Sequence, residues 1–202
     1  MPLFGRKKWK FKGASMLHFI SKCWDLSLEQ CPCDIHFVDF LREKKIVNSA
    51  IFHFGTGNHH HVGIETAEDG GNNAVLGITA SPREYDSYVK LSIEQPTITR
   101  SYKAYFGDIY QLDAQLLPTF DVVTLFHLCE FRNEANDVYG ALTDLEMASL
   151  LIDKLAPGGW LLFYTGSFRF DRAKPVIAEL EKIRPIDRIG EYKTLLVYRK
   201  QG

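Results

Sequence analysis

Nowhere in the 202 residues is there a run approaching the ~18 apolar side chains of a membrane-spanning helix, and no charged-then-apolar leader pattern opens the chain. The expected compartment is therefore the cytoplasm. Net charge is almost absent. The 24 lysines and arginines against 25 aspartates and glutamates leave −1 at pH 7, so no global field recruits nucleic acid or a membrane surface. Cysteine is scarce, at four residues (Cys23, Cys31, Cys33 and Cys129), and in a reducing compartment these stay as thiols. There is no internal repeat, low-complexity tract or linker long enough to separate two independent units. What remains, 46% hydrophobic and 24% charged, is the composition of an ordinary globular domain long enough to bury a sizeable core.

A metal site is also lacking by its usual signature. The segment Cys31-Pro-Cys33-Asp-Ile-His36 offers three ligand types, but zinc sites pair such residues with a second pair downstream, and none follows. His59, His60 and His61, set on a helix, would point about 100° apart and cannot converge on one ion. No metal is expected from either group. The one concentration of charge is the run GRKKWKFK, where Arg6, Lys7, Lys8, Lys10 and Lys12 alternate with Trp9 and Phe11. It reads as a solvated tail or as a small contact surface for phosphate, lipid headgroup or RNA.

Residues 14–45 read as a helical N-terminal segment, a lid or contact element, in which Ile35, Val38 and Leu41 share one face. From residue 46 the texture changes to short apolar runs alternating with helical patterns. The runs are AIFHF (50–54), AVLGI (74–78), YKAYF (102–106), FDVVTLF (120–126), WLLFY (160–164) and TLLVYR (194–199). Asn58 stands where it would cap a helix over 59–68. Ser81–Glu84 and Thr143–Glu146 read as capping boxes. The helix opened by Thr143 is expected to stop at Ala156-Pro-Gly-Gly159, and residues 171–183 supply a further helix. Nearly continuous hydrophobic strands alternating with helices predict a doubly wound, mainly parallel sheet covered on both faces.

In such a sheet the loop after the first strand meets the ligand. Here that loop is Gly55-Thr56-Gly57, where glycine lets the backbone approach closely. It is not a dinucleotide fingerprint, because His60 stands where a third glycine is required and the second strand ends without a carboxylate.

Taken in order, IFHFGTG, VLGITASP, YFGDI, FDVVTLFHLCEF, LLIDKLAPGGWLLF and TLLVYRK resemble the class I S-adenosylmethionine-dependent methyltransferases from residue 46 onward. The resemblance implies a seven-stranded Rossmann-like sheet whose last strand is antiparallel, S-adenosylmethionine as cofactor, and a methyl transfer by in-line displacement. It implies that Gly55, Thr56 and Gly57 pack against the methionine moiety and ribose, and that Thr79 and Ser81 meet the ribose hydroxyls. Asp108 would accept from the adenine amino group, with Ile109 contributing its backbone. Phe126 and His127 would line the place where the methyl group is presented, and His127 or Glu130 would take a proton from the acceptor. Two positions depart from the pattern: His53 replaces a customary acid before the first glycine, and Thr79 replaces the customary Asp or Glu closing the second strand. The latter resembles the fatty-acid cyclopropane synthases, but removes a charge-assisted hydrogen bond. The expected acceptor is a small molecule, since near-neutrality and the lack of an Asn-Pro-Pro-Tyr after the fourth strand argue against nucleic acid. Arg169 and Arg172 stand where an acidic substrate group would dock. The alternative reading is a binding or scaffold protein that keeps the fold with a weakened cofactor site.

Overall fold

Side chains alternate across a strand, and the computed structural model, which describes residues 19–202, shows two apolar clusters on opposite faces of one sheet. The strands are β1 (Ala50–Phe54), β2 (Ala74–Thr79), β3 (Tyr102–Phe106), β4 (Phe120–Thr124), β5 (Leu155–Tyr164), β6 (Ile186–Tyr192) and β7 (Leu195–Lys200). Their order is β3-β2-β1-β4-β5-β7-β6. The first five run parallel, and β7 inserts antiparallel between β5 and β6.

Along β1 the alternation is plain. Phe52 and Phe54 join the cluster that buries Met147, Leu151 and Ile152 of helix α5 (Asp144–Asp153) and Ile177 and Leu180 of α6 (Phe170–Ile183). Ile51 joins the other, with Phe37, Val38, Phe40 and Leu41 of α1 (Cys33–Glu43) and Val62 of α2 (His61–Glu68). Tyr88 of α3 (Pro82–Glu94) completes that second face. Helix α1 is thus part of the core. Of its expected apolar face, Val38 and Leu41 are buried while Ile35 is half-buried.

Several local expectations are corrected. Helix is confined to 33–43 within the described part of 14–45; residues 14–18 and the basic run lie outside the described residues. Pro32 explains the late start, since a residue preceding proline is driven out of the helical region. Residues 19–32 instead form a strap, fastened by Ile20 N–H to the Ala80 carbonyl (3.1 Å) and Asn58 N–H to the Trp24 carbonyl (2.7 Å). Asn58 therefore caps nothing. Its side chain donates to Asp25 (3.2 Å), and α2 starts at His61 after a left-handed His60. Helix α5 ends at Asp153, before Pro157, because Leu155 already pairs with Phe120; residues 156–159 lie within β5 beside a bulge. The seventh strand, β6, matched none of the apolar runs. As an edge strand it buries only Ile186 and exposes Asp187, Arg188 and Glu191. Among the described residues no helix is long and apolar enough to cross a membrane.

The Thr143–Glu146 box is complete, with each side chain bonding the other's backbone N–H (2.8 and 3.2 Å). Thr143→Ala should lower stability in urea unfolding by about 1 kcal/mol, whereas Leu151→Ala, at a wholly buried position, should cost about 2–5 kcal/mol.

Candidate active site

The strand order reverses between β1 and β4, and in open α/β sheets ligands sit beyond the strand ends at such a point. A cavity of about 270 Å³ opens there, near the lower end of the ~300–1,000 Å³ usual for small-molecule sites. The loops after the parallel strands supply Gly55 and Gly57, Thr79 and Ser81, Asp108 and Ile109, His127 and Glu130, and Ser167. The strap and the start of α1 supply Trp24, Cys31, Cys33 and Asp34.

Most sequence-nominated residues meet at this cavity, but Thr56, Phe126, Arg169 and Arg172 do not. Thr56 is turned inward: its methyl packs where a Cβ on Gly77 would stand, and its hydroxyl lies 3.5 Å from the Glu84 carboxylate. Phe126 is buried beneath, edge-on to Phe37 and His53. The chain has passed β4 by then and its side chain falls on the α1 face. Arg169 and Arg172 do not line the cavity either; Arg169 lies over the Phe168 ring, 5.5 Å from its centroid.

The glycine loop is also not bare. Gly55 and Gly57 have φ of 91° and 56°, which glycine adopts readily. A Cβ on Gly55 would stand 2.7 Å from the His127 ring, and one on Gly57 would stand 2.3 Å from that of His59. The space their missing side chains leave is filled by imidazoles, and His59 Nδ1 also accepts the His61 N–H (3.1 Å), capping α2.

Two carboxylates stand where the sequence had seemed to lack them. At the end of β2, Thr79 donates to Glu84 Oε2 at 2.6 Å, and the Trp24 N–H points to the same carboxylate. Ser81 accepts the Glu84 N–H, but Glu84 does not return the bond to Ser81, so the expected box is half a box and its carboxylate faces the cavity. Burial pushes Glu84 above the ordinary carboxylate range, with the Thr79 bond the largest offset. Beside β1, Asp34 of α1 lies 3.5 Å from His53 Nε2 and 3.8 Å from His59 Nε2. Burial pushes Asp34 up, but attraction to His53, and less to His59 and His127, overcomes it and holds the carboxyl below its ordinary value. Neither was visible in the chain, since each is displaced from its customary position onto a neighbouring helix.

Asp108 is nearly saturated. It accepts from the Tyr110 N–H (2.9 Å), Asn136 Nδ2 (2.8 Å) and the Tyr139 hydroxyl. Glu130 accepts from Ser167 Oγ at 2.6 Å and lies 3.2 Å from His127 Nδ1. Burial lowers His127, yet Glu130 more than compensates and raises it above its ordinary value. The three consecutive histidines diverge. His59 lines the cavity, and His60 is buried between the Tyr102 hydroxyl (2.8 Å) and the Glu84 carbonyl (3.1 Å). His61 is half-exposed near Glu65.

No protein-family model and no curated protein matches the chain. Solved structures do share its fold. The [4+2]-cyclase SpnF aligns at a TM-score of 0.59 and 13% identity, over 92% of this chain and 88% of that one. An rRNA methylase from Streptococcus thermophilus aligns at 0.57 and 15%, over 82% and 95%. The N-methyltransferase NodS from Bradyrhizobium japonicum WM9, in complex with S-adenosyl-L-homocysteine, aligns at 0.55 and 14%, over 84% and 87%. The chain spans only 37% of the length of coclaurine N-methyltransferase, another structure it matches. The fold is that of the class I S-adenosylmethionine-dependent methyltransferases.

Burial holds the His60 imidazole down at about 4, from an ordinary 6.5. The unfolded chain therefore binds a proton that the folded chain refuses. The contribution is complete above pH ~6.5 and is lost as pH falls toward ~4, for roughly 3 kcal/mol. Against His60→Gln, the wild-type protein should lose stability more steeply across this window in denaturant titrations.

Proposed function

We propose that the chain is an S-adenosylmethionine-dependent methyltransferase acting on a small-molecule acceptor by in-line displacement. The carrying observation is electrostatic. Among the described residues, Asp25, Asp34, Glu84, Asp108 and Glu130 line the cavity, and no lysine or arginine does. Such a wall favours a cationic ligand, and a sulfonium is one. It disfavours phosphate, so a nucleic-acid backbone is a poor partner for it, although some neighbours in fold are named as rRNA methylases.

In this reading Glu84, supported by Thr79 and Thr56, takes the ribose hydroxyls. Ser81 frames the same end of β2, and Asp108 and Ile109 meet the adenine edge. Asp34 stands by the glycine loop near the methionine moiety. His127 and Glu130 form the polar wall facing the acceptor, and residues 19–32 act as the lid. Methyl transfer from a sulfonium asks mainly for alignment at about 3 Å and exclusion of water.

A second reading, a binding protein with a weakened cofactor site, is favoured by the imidazoles over both glycines and by the saturated Asp108 carboxylate. Calorimetry separates the two. S-Adenosylmethionine and S-adenosylhomocysteine should bind one per chain, and Glu84→Gln and Asp34→Asn should each weaken binding about 10- to 100-fold, the worth of a charged hydrogen bond. Absence of both binding heat and thermal stabilisation at millimolar ligand would leave the second reading standing.

A further inference from the structure

We infer that Cys31, Cys33 and His127 form a binding site for a zinc ion whose fourth coordination position opens into the cavity. The Sγ atoms of Cys31 and Cys33 are 3.3 Å apart, and with a ring nitrogen of His127 all three donor atoms lie within 4.8 Å of one another. Zn–S bonds of ~2.3 Å and Zn–N bonds of ~2.0 Å at tetrahedral angles require donor separations of roughly 3.5–3.8 Å. The observed spacings bracket that range, so the site closes on an ion with shifts of an ångström or less.

The chain holds the three donors deliberately close. Pro32 fixes the turn between the cysteines, placing Cys33 as the first residue of α1 and Cys31 near the end of the strap. His127 arrives from the far wall, past β4. His36, the histidine that the sequence sets beside the cysteines, is instead 2.8 Å from Thr194 Oγ1. The histidine that stands by the two thiols is His127, from the other side of the cavity.

The surroundings are those of a metal ligand set. Glu130 lies 3.2 Å from His127 Nδ1 and is itself held by Ser167. Among the described residues His127 Nδ1 is buried without a hydrogen-bond partner and Glu130 is the carboxylate beside it; closing that contact would fix the tautomer and present the other nitrogen's lone pair, as in carboxylate–histidine–zinc arrangements. Two thiolates and a neutral imidazole neutralise a divalent cation, and Asp34, which accepts the Cys33 S–H at 3.6 Å, adds negative charge next to the site. Thiolate donors select zinc over magnesium or calcium. All three ligands line the cavity, and three protein ligands with one open position are the pattern of catalytic rather than structural zinc. The open corner suits a soft donor on an acceptor, such as a thiol. The ion's presence would make His127 a ligand rather than a base.

The test is zinc binding itself, measured on the full chain in a non-thiol reductant by competition with a chromophoric chelator, and by cobalt substitution read through thiolate-to-cobalt charge-transfer absorption. One ion per chain is expected. Cys31→Ser and His127→Gln should each weaken it more than 100-fold, and Glu130→Gln about 10- to 100-fold. Cys23→Ser and Cys129→Ser should leave it unchanged, and far-ultraviolet circular dichroism checks that each variant is folded. Substoichiometric zinc, or a Cys31→Ser variant that retains wild-type affinity, would overturn the assignment. So would a Cys31–Cys33 disulfide whose reduction restores no zinc binding. This inference stands on its own geometry. Titration of metal-free protein with S-adenosylhomocysteine reports on the cofactor reading separately, so either can fail without the other.

Discussion

A carboxylate taken out of water is costly unless its oxygens find donors, and the way Glu84 meets that demand organises this end of the molecule. Its side chain draws in the Thr79 hydroxyl from β2, the Thr56 hydroxyl from the glycine loop and the Trp24 N–H from the strap. Its own carbonyl receives His60 at the start of α2, while its N–H is capped by Ser81. One residue in the first turn of α3 thereby joins the end of β2 to two segments distant in the chain, the strap and the loop from Thr56 to His60. The donors do not erase the burial cost, since the group still sits above the ordinary carboxylate range.

The fold was legible where burial was two-sided. β1, β2, β4 and β7 are rich in Val, Ile, Leu and Phe because helices cover both faces, and each stands out as a mainly apolar stretch despite His53 in β1 and Asp121 in β4. β6 was not, because an edge strand with a single buried side chain carries charges that read as loop. Local helix signals fared unevenly for a related reason. Thr143 and Ser81 cap as their sequences predict, but Asn58 is claimed by a tertiary partner, Asp25, that no local pattern reveals.

The site was legible by position and less so by chemistry. Gly55, Gly57, Thr79, Asp108, His127 and Glu130 do converge on one cavity, because strand ends dictate that. The carboxylates of Asp34 and Glu84 are different in kind. A sequence pattern scores a strand-end position by the residue written there, whereas the ligand meets whichever oxygen reaches that point in space. His53 and Thr79 look like losses on paper, yet each lies against a carboxylate supplied by a neighbouring helix. Function resides in such placements more than in the fold, which neighbours of different named activities share.

The cavity has two halves of separate origin. Ends of the parallel strands furnish the glycines, Thr79 and Asp108. The strap and α1 furnish Trp24, Cys31, Cys33 and Asp34, which no strand order requires. Trp24 also packs on Phe131, with ring centroids 5.7 Å apart, so the strap touches the loop after β4 across the cavity. His127 is the residue on which both halves bear: its ring fills the place beside Gly55, Glu130 lies 3.2 Å from its Nδ1, and the two thiols lie within reach of its ring.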